Sequence, residues 1–183
     1  MLLVGLSCSS SQAADLDGAA FLHGGQVTEV ARVGAFTDQR RLPLVGVGGA
    51  LRWRPAPLQA AGLALQATVG LDGSPTTGAW LPTAGADARW RPPLPTAWGP
   101  LRAETGLGAE LSFNRNAPWS RVDLSLPVGV GWGRSTLEWR PGLQLALGRS
   151  STGAGALEVQ RSAGPAWRLL DLRVTVRFGE EEP

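Results

Sequence analysis

The sequence predicts an all-β chain: a closed antiparallel up-and-down transmembrane β-barrel of about eight strands. Three observations carry that prediction. Apolar residues alternate with polar ones or glycine through most of the chain, the period-2 signature of strands with two unlike faces. The polar face mixes glycine with Arg, Glu and Asp, which suits a narrow interior better than a water-exposed sheet surface. All eight Trp lie near segment ends or turns, as two interfacial girdles would place them.

The segments follow in order. The first and weakest covers Gln26–Phe36, where Ala31, Val33 and Ala35 alternate with Arg32 and Gly34, and Glu29-Val30 breaks the phase as a bulge would. A turn is expected over Thr37–Pro43. In Leu44–Arg54, Val45, Val47, Leu51 and Trp53 oppose Gly46, Gly48, Arg52 and Arg54; Pro55-Ala56-Pro57 then turns the chain into Leu58–Leu71. A loop, Asp72–Ala79, precedes Leu81–Arg91, in which Ala84, Ala86, Ala88 and Trp90 oppose Asp87, Arg89 and Arg91. After the Pro-rich turn Pro92–Pro100, Leu101, Ala103, Leu107, Ala109, Leu111 and Phe113 oppose Arg102, Glu104, Gly106, Gly108, Glu110 and Ser112. Asn114–Trp119 is a loop, the sixth segment ends at Trp132, and Gly133-Arg134-Ser135 is a tight turn. The seventh sets Leu137, Trp139, Leu143, Leu145 and Leu147 against Glu138, Arg140, Gly142, Gln144 and Gly148. A long polar connection, Arg149–Ala166, holds a strand extension over Leu157–Arg161 and leads to the last segment, Leu170–Phe178.

That final segment is the clearest. Leu170, Leu172, Val174, Val176 and Phe178 fall on one side, and Asp171, Arg173, Thr175 and Arg177 on the other. The expected assignment turns the apolar sides to acyl chains and the charged sides inward. Arg52, Arg89, Arg102, Glu104, Glu110, Glu138, Arg140, Asp171 and Arg173 then form an ion network that fills the lumen. A charge on the lipid face at mid-bilayer costs about 2–4 kcal/mol, and the apolar face of the last seven segments carries none. Segments of about 10–14 residues match a tilted bilayer crossing. With alternating chain direction, Trp53, Trp90, Trp98, Trp132 and Trp139 fall at one end, and Trp80, Trp119 and Trp167 at the other.

Composition narrows the function classes. Charged residues make up only 17% of the chain against 43% apolar, which argues against disorder. All 17 basic residues are Arg, yet the formal net charge is only +2 and scattered, so no nucleic-acid partner is expected. A single Cys excludes a disulfide framework and a Cys metal site, and with a single His it argues against a zinc site and against a Cys/His or Ser/His triad. Residues 1–14 have the short apolar run and small residues of a signal-peptide remnant, cleaved near Ala13 or Ala14, and 15–183 form the barrel with a short acidic tail. Cys8 is a candidate lipidation site, but Gly5 stands where a lipobox has Leu, which favours a removed signal. No stretch reaches the ~18 apolar residues of a membrane helix.

The last nine residues of the alternating pattern, ending in Phe178, resemble the C-terminal assembly signal of bacterial outer-membrane β-barrels, although Gly179-Glu180-Glu181-Glu182-Pro183 follows the Phe. In size and pattern the chain resembles the small outer-membrane protein A and X type. That resemblance implies an outer-membrane location, barrel-assembly machinery as a partner during biogenesis, and both termini in the periplasm. It also implies short periplasmic turns at 55–57, 92–100 and 133–135, with external loops at 37–43, 72–79, 114–118 and 149–166.

Catalysis is not expected, nor a cofactor or a metal. His23 precedes the first segment and reads as a rim or linker histidine, far from the external loops where a lipid-deacylating His/Ser/Glu set belongs. Gly46-Val47-Gly48-Gly49 and Gly129-Val130-Gly131 lack the helix start and Gly-Lys-Ser/Thr of a phosphate loop. Glu104, Glu110 and Glu138 have Arg neighbours and read as ionised structural partners. The expected role is structural or interaction-based through external loops. The alternatives are a narrow pore and a soluble periplasmic β-barrel that binds an apolar ligand.

Overall fold

The computed structural model describes residues 15–113, 120–155 and 158–178. The expected signal remnant with Cys8, the loop 114–119 with Trp119, and the acidic residues 180–182 lie outside them. The described chain is all-β and antiparallel, with thirteen strands in one sheet. None of its described helices is long and apolar enough to cross a membrane.

The strands are β1 (Asp15–Val33), β2 (Phe36–Arg54), β3 (Leu63–Gly73), β4 (Trp80–Trp90), β5 (Arg102–Ser112), β6 (Arg121–Ser125) and β7 (Val128–Trp132). There follow β8 (Ser135–Trp139), β9 (Gly142–Ala146), β10 (Arg149–Thr152), β11 (Val159–Ala163), β12 (Ala166–Arg168) and β13 (Asp171–Phe178). Eight of them, β1 to β5 with β7, β8 and β13, close into a ring in which each pairs with a neighbour on both sides. β6 and β7 keep one register against β5 across Leu126-Pro127, so they are halves of one strand interrupted where proline removes a ladder donor. β8 and β9 are likewise halves of one strand across Arg140-Pro141.

β12 and β13 differ, because Arg168 pairs with Gly142 whereas Leu172 pairs with Trp139, one residue out of step. The extra residue is a bulge at Leu169-Leu170, and the Trp139 indole N–H donates to the Leu169 carbonyl at 2.7 Å. Thus the phase break lies here and not at Glu29-Val30, where β1 pairs with β2 without interruption from Asp15 to Val33.

The size of the stagger follows from the pairing. From Thr175 the ladder runs through Phe21, Gly48, Gly70 and Thr83 to Ser112; in the other direction it runs through Thr136 and Gly131 to Arg102 on the same strand, ten residues away. Eight strands about 4.8 Å apart with that stagger tilt by about 40° and gain about 2.5 Å of height per residue. On this geometry Trp53, Trp90 and Trp132 fall near one level, and Trp80 and Trp167 near a second about 25 Å higher. Trp98 lies in the lower-end turn Thr96–Trp98. Trp139 does not join the lower level as expected; it stands roughly halfway between the two, because it is the last residue of β8, four residues beyond Ser135 where that strand leaves the turn.

Two segment boundaries also differ from expectation. β1 begins at Asp15, and its hairpin with β2 turns at Gly34-Ala35, with Gly34 at φ +56°. Glycine takes such a conformation at no steric cost, so a two-residue turn forms there. The expected turn 37–43 is therefore strand, and 26–33 with 36–43 make a ladder standing above the ring. Leu58 lies in a single helical turn, α1 (Ala56–Ala60), so the third strand starts at Leu63. β10 and β11 form a hairpin in the long connection, and β11 pairs with β1 at Glu29–Val33.

Burial is inverted relative to a water-soluble protein. Among the described residues 34 large apolar side chains are exposed, whereas the buried apolar set is Phe21, Val27, Leu44, Ala64, Leu81 and Ala163.

Candidate functional site: the charged interior of the ring

Strand parity sets the interior. Residues on alternate positions of each ring strand face inward, and in β13 these are Asp171, Arg173 and Thr175, all buried, while Leu172, Val174, Val176 and Phe178 are exposed. Leu170 precedes β13 at the bulge and is also exposed. Among the described residues seven arginines and eight carboxylates are buried together with His23, all but Glu29 of them within the ring. A charge enclosed away from water is tolerated only when paired, and the ring meets that demand in three tiers.

At the lower end Glu104 accepts a bidentate pair from Arg52 at 2.9 and 2.8 Å, and further bonds from Arg91 at 3.1 Å and Arg177 at 2.6 Å. Arg54 reaches Asp15 and Asp17. Arg102 departs from its expected place: half-buried, it donates to the Gly133 carbonyl and not to a carboxylate, because it is the first residue of β5 and lies at the rim.

In the middle tier Arg89 holds Glu138 through both nitrogens, at 2.9 and 3.0 Å, and Asp87 at 2.9 Å. Arg140 closes the square, bonding Asp87 at 2.8 Å and approaching Glu138 at 3.4 Å. Arg173 reaches Glu110 at 2.7 Å, and its guanidinium lies 4.2 Å over the Phe21 ring, a cation–π contact. Glycine leaves the room these long side chains need: a Cβ on Gly108 would strike the Asp87 carboxylate, and one on Gly46 the His23 ring.

In the upper tier the expectation for His23 is overturned. It is buried within β1, with Nε2 2.6 Å from Asp72 and Nδ1 3.7 Å from Asp171, because β1 begins eight residues before it. Asp72 also binds Arg121 at 2.6 Å; Arg121 binds Asp123, and Arg168 joins Asp123 to Asp171 at 2.6 and 2.7 Å. Beside this tier the buried side chains Val27, Leu44 and Leu81 cluster with Leu42 and Ala79, an apolar layer on the β1, β2 and β4 side of the interior.

Of the members that sequence reasoning missed, Asp72 sits at a strand end expected to be loop, whereas Arg121 and Arg168 sit in strands between an expected connection and the next expected segment. Parity could have found them: Arg121 is in phase with Asp123 and Ser125, and Asp72 with Gly70.

His23, Asp72 and Glu110 bring donor atoms within 4.8 Å of one another. That geometry invites a divalent cation, but the charges oppose one. Asp72 already meets Arg121, and Glu110 already meets Arg173. Two guanidiniums beside two carboxylates leave no negative charge to draw a cation in.

No protein-family model matches the chain, and no curated protein matches it. Among solved structures it is similar to the crystal structure of Neisserial surface protein A, at 14% identity and a TM-score of 0.40, over 91% of this chain and 100% of that one. The ring, its stagger and its inverted burial are read from this chain alone.

Proposed function

We propose that the chain is a closed, non-catalytic transmembrane β-barrel of a bacterial outer membrane, serving a structural or interaction role through the parts that stand above the bilayer. The inverted burial carries this reading. A sheet whose outer surface presents leucine, valine and tryptophan, and whose centre holds arginine and carboxylate, is stable where the outer medium is hydrocarbon. The two Trp levels about 25 Å apart fit the apolar band of such barrels, and the ring leaves none of its strands with a free edge along the hydrocarbon.

The alternatives fare less well. A soluble barrel holding an apolar ligand needs an apolar interior, which the tiers of ion pairs contradict. An open pore needs a wet channel, whereas the interior is filled by buried, mutually bonded side chains. As an outer-membrane protein it would meet lipid on its outer face and the barrel-assembly machinery through its last strand.

Expressed behind a functional signal sequence in a Gram-negative host, the protein is expected in the outer-membrane fraction with heat-modifiable electrophoretic mobility. Recovery as a soluble periplasmic protein would overturn the reading. In planar bilayers no steady conductance is expected, and lipid A from the overexpressing strain should keep its mass.

A further inference from the structure

The ladder that rises above the upper Trp level has two unlike faces, and strand pairing identifies them. One continues the inward side: Glu29 with Arg161, and Asp38 with Arg40, are ion pairs on it. The other continues the outward, apolar side, although β10–β11 is one residue out of step with β9–β12. Along β1 it runs from Leu22 through Thr28 and Val30 to Arg32, along β2 from Val45 to Arg41, and past β9 from Leu145 and Leu147 to Arg149. So directly above the apolar belt, on the same side of the sheet, stand Arg32, Arg41 and Arg149, all exposed.

Arg32, Arg149 and Arg161 line a cleft of about 420 Å³ together with Val30, Leu147, Gln160 and Pro165, and Arg41 stands outside that lining. Arg32 and Arg41 have no ion-pair partner among the described residues. Arg149 has only a 3.5 Å approach to the Gln160 carbonyl, and Glu158, held by Gln160, is the one described acid on this face. Arg161 is met by Glu29 at 3.6 Å, which leaves Arg32 and Arg149 as two guanidiniums with no carboxylate in the cleft lining. By the tilt geometry they lie roughly 10 Å above the upper Trp level, within the headgroup layer of a bilayer whose hydrocarbon ends there.

We propose that this outward cleft binds the phosphate monoester of a glycolipid headgroup in the outer leaflet, the acyl chains lying on the apolar belt below. The inference rests on the membrane reading. A monoester phosphate carries nearly two negative charges at neutral pH, matching the surplus, and guanidinium forks suit phosphate oxygens bidentately. Val30, Leu147 and Pro165 give the sugar and upper chain an apolar wall.

The test uses the full chain folded into phosphatidylcholine vesicles doped with diphosphoryl lipid A, with enzymatically dephosphorylated lipid A, or with phosphatidylglycerol, followed by native mass spectrometry of co-retained lipid. Diphosphoryl lipid A should be retained about tenfold more than its dephosphorylated form, as loss of charge-assisted bonds of this kind implies. The preference should vanish in the triple variant Arg32→Gln, Arg41→Gln, Arg149→Gln, and survive in Arg40→Gln, which lies on the opposite face and outside the cleft. Equal retention of all three lipids contradicts the proposal; so does equal retention of phosphatidylglycerol, whose diester carries one charge, and so does a preference that the triple variant keeps. Should that variant fail to fold, the dephosphorylation comparison on the unaltered protein decides. A chain that never enters vesicles contradicts the membrane reading itself, and one that enters without discriminating contradicts only the cleft.

Discussion

Glu104 receives Arg52, Arg91 and Arg177 together, so its carboxylate is the common anchor for three guanidiniums at the lower end of the ring. Neutralising such an anchor strands buried positive charge, and a broken buried pair costs about 3–5 kcal/mol. Glu104→Gln is therefore expected to lower the urea midpoint of the folded, lipid-bound protein by an equivalent amount, whereas Asp38→Asn, in an exposed pair, should change it little. Steric limits act at the same scale. Gly108 lies against Asp87 and Arg140, so Gly108→Val overpacks the middle tier and should destabilise by about 1–3 kcal/mol in the same assay. Which side chains point inward was legible in the sequence, because parity in a strand fixes the face. Their partners were not: Arg89 meets Glu138 and Arg52 meets Glu104, matches set by a ten-residue stagger that no local pattern reveals.

Strands differ in how plainly they announce themselves. β5 and β13 alternate Leu, Val or Phe with charges and were legible throughout. The lower half of β1 was not, since Gly18, Ala19, Ala20, Gly24 and Gly25 give little contrast between its faces. Its upper half, with the start of β2, carries polar residues on both faces, and so Asp38, Arg40 and Arg41 looked like a turn. The bulge at Leu169-Leu170 left no composition signal, but it has a consequence for Trp139. At roughly mid-height this indole faces outward, and the carbonyl freed by the bulge accepts its N–H. Trp139→Phe leaves that carbonyl unsatisfied in hydrocarbon, and a loss of about 1–3 kcal/mol is expected from unfolding curves. Leu107, 66% exposed in the middle of β5, separates the media more sharply. Leu107→Arg should cost about 2–4 kcal/mol in a bilayer, whereas an exposed surface site in water would tolerate it within about half a kcal/mol.

For the molecule as a whole, ring closure, tilt and inverted burial are one structure seen three ways. Ten residues of stagger across eight strands leave an interior narrow enough for side chains to fill, and the fill is charged because the outer surface must be apolar. The sequence made the two-faced character of the chain plain and left its orientation to be argued from glycine and tryptophan positions. Only the fold brings Val27, Leu44 and Leu81 together, since each lies alone in its own segment. The central claim is that the outward face touches acyl chains. It is tested most directly by a variant retaining Trp139 alone, compared with variants retaining Trp80 or Trp90 alone, in vesicles of lipids brominated at defined depths. Deep bromines should quench Trp139 most and shallow bromines should quench Trp80 and Trp90 most; indoles untouched by any brominated lipid and open to aqueous iodide would contradict it.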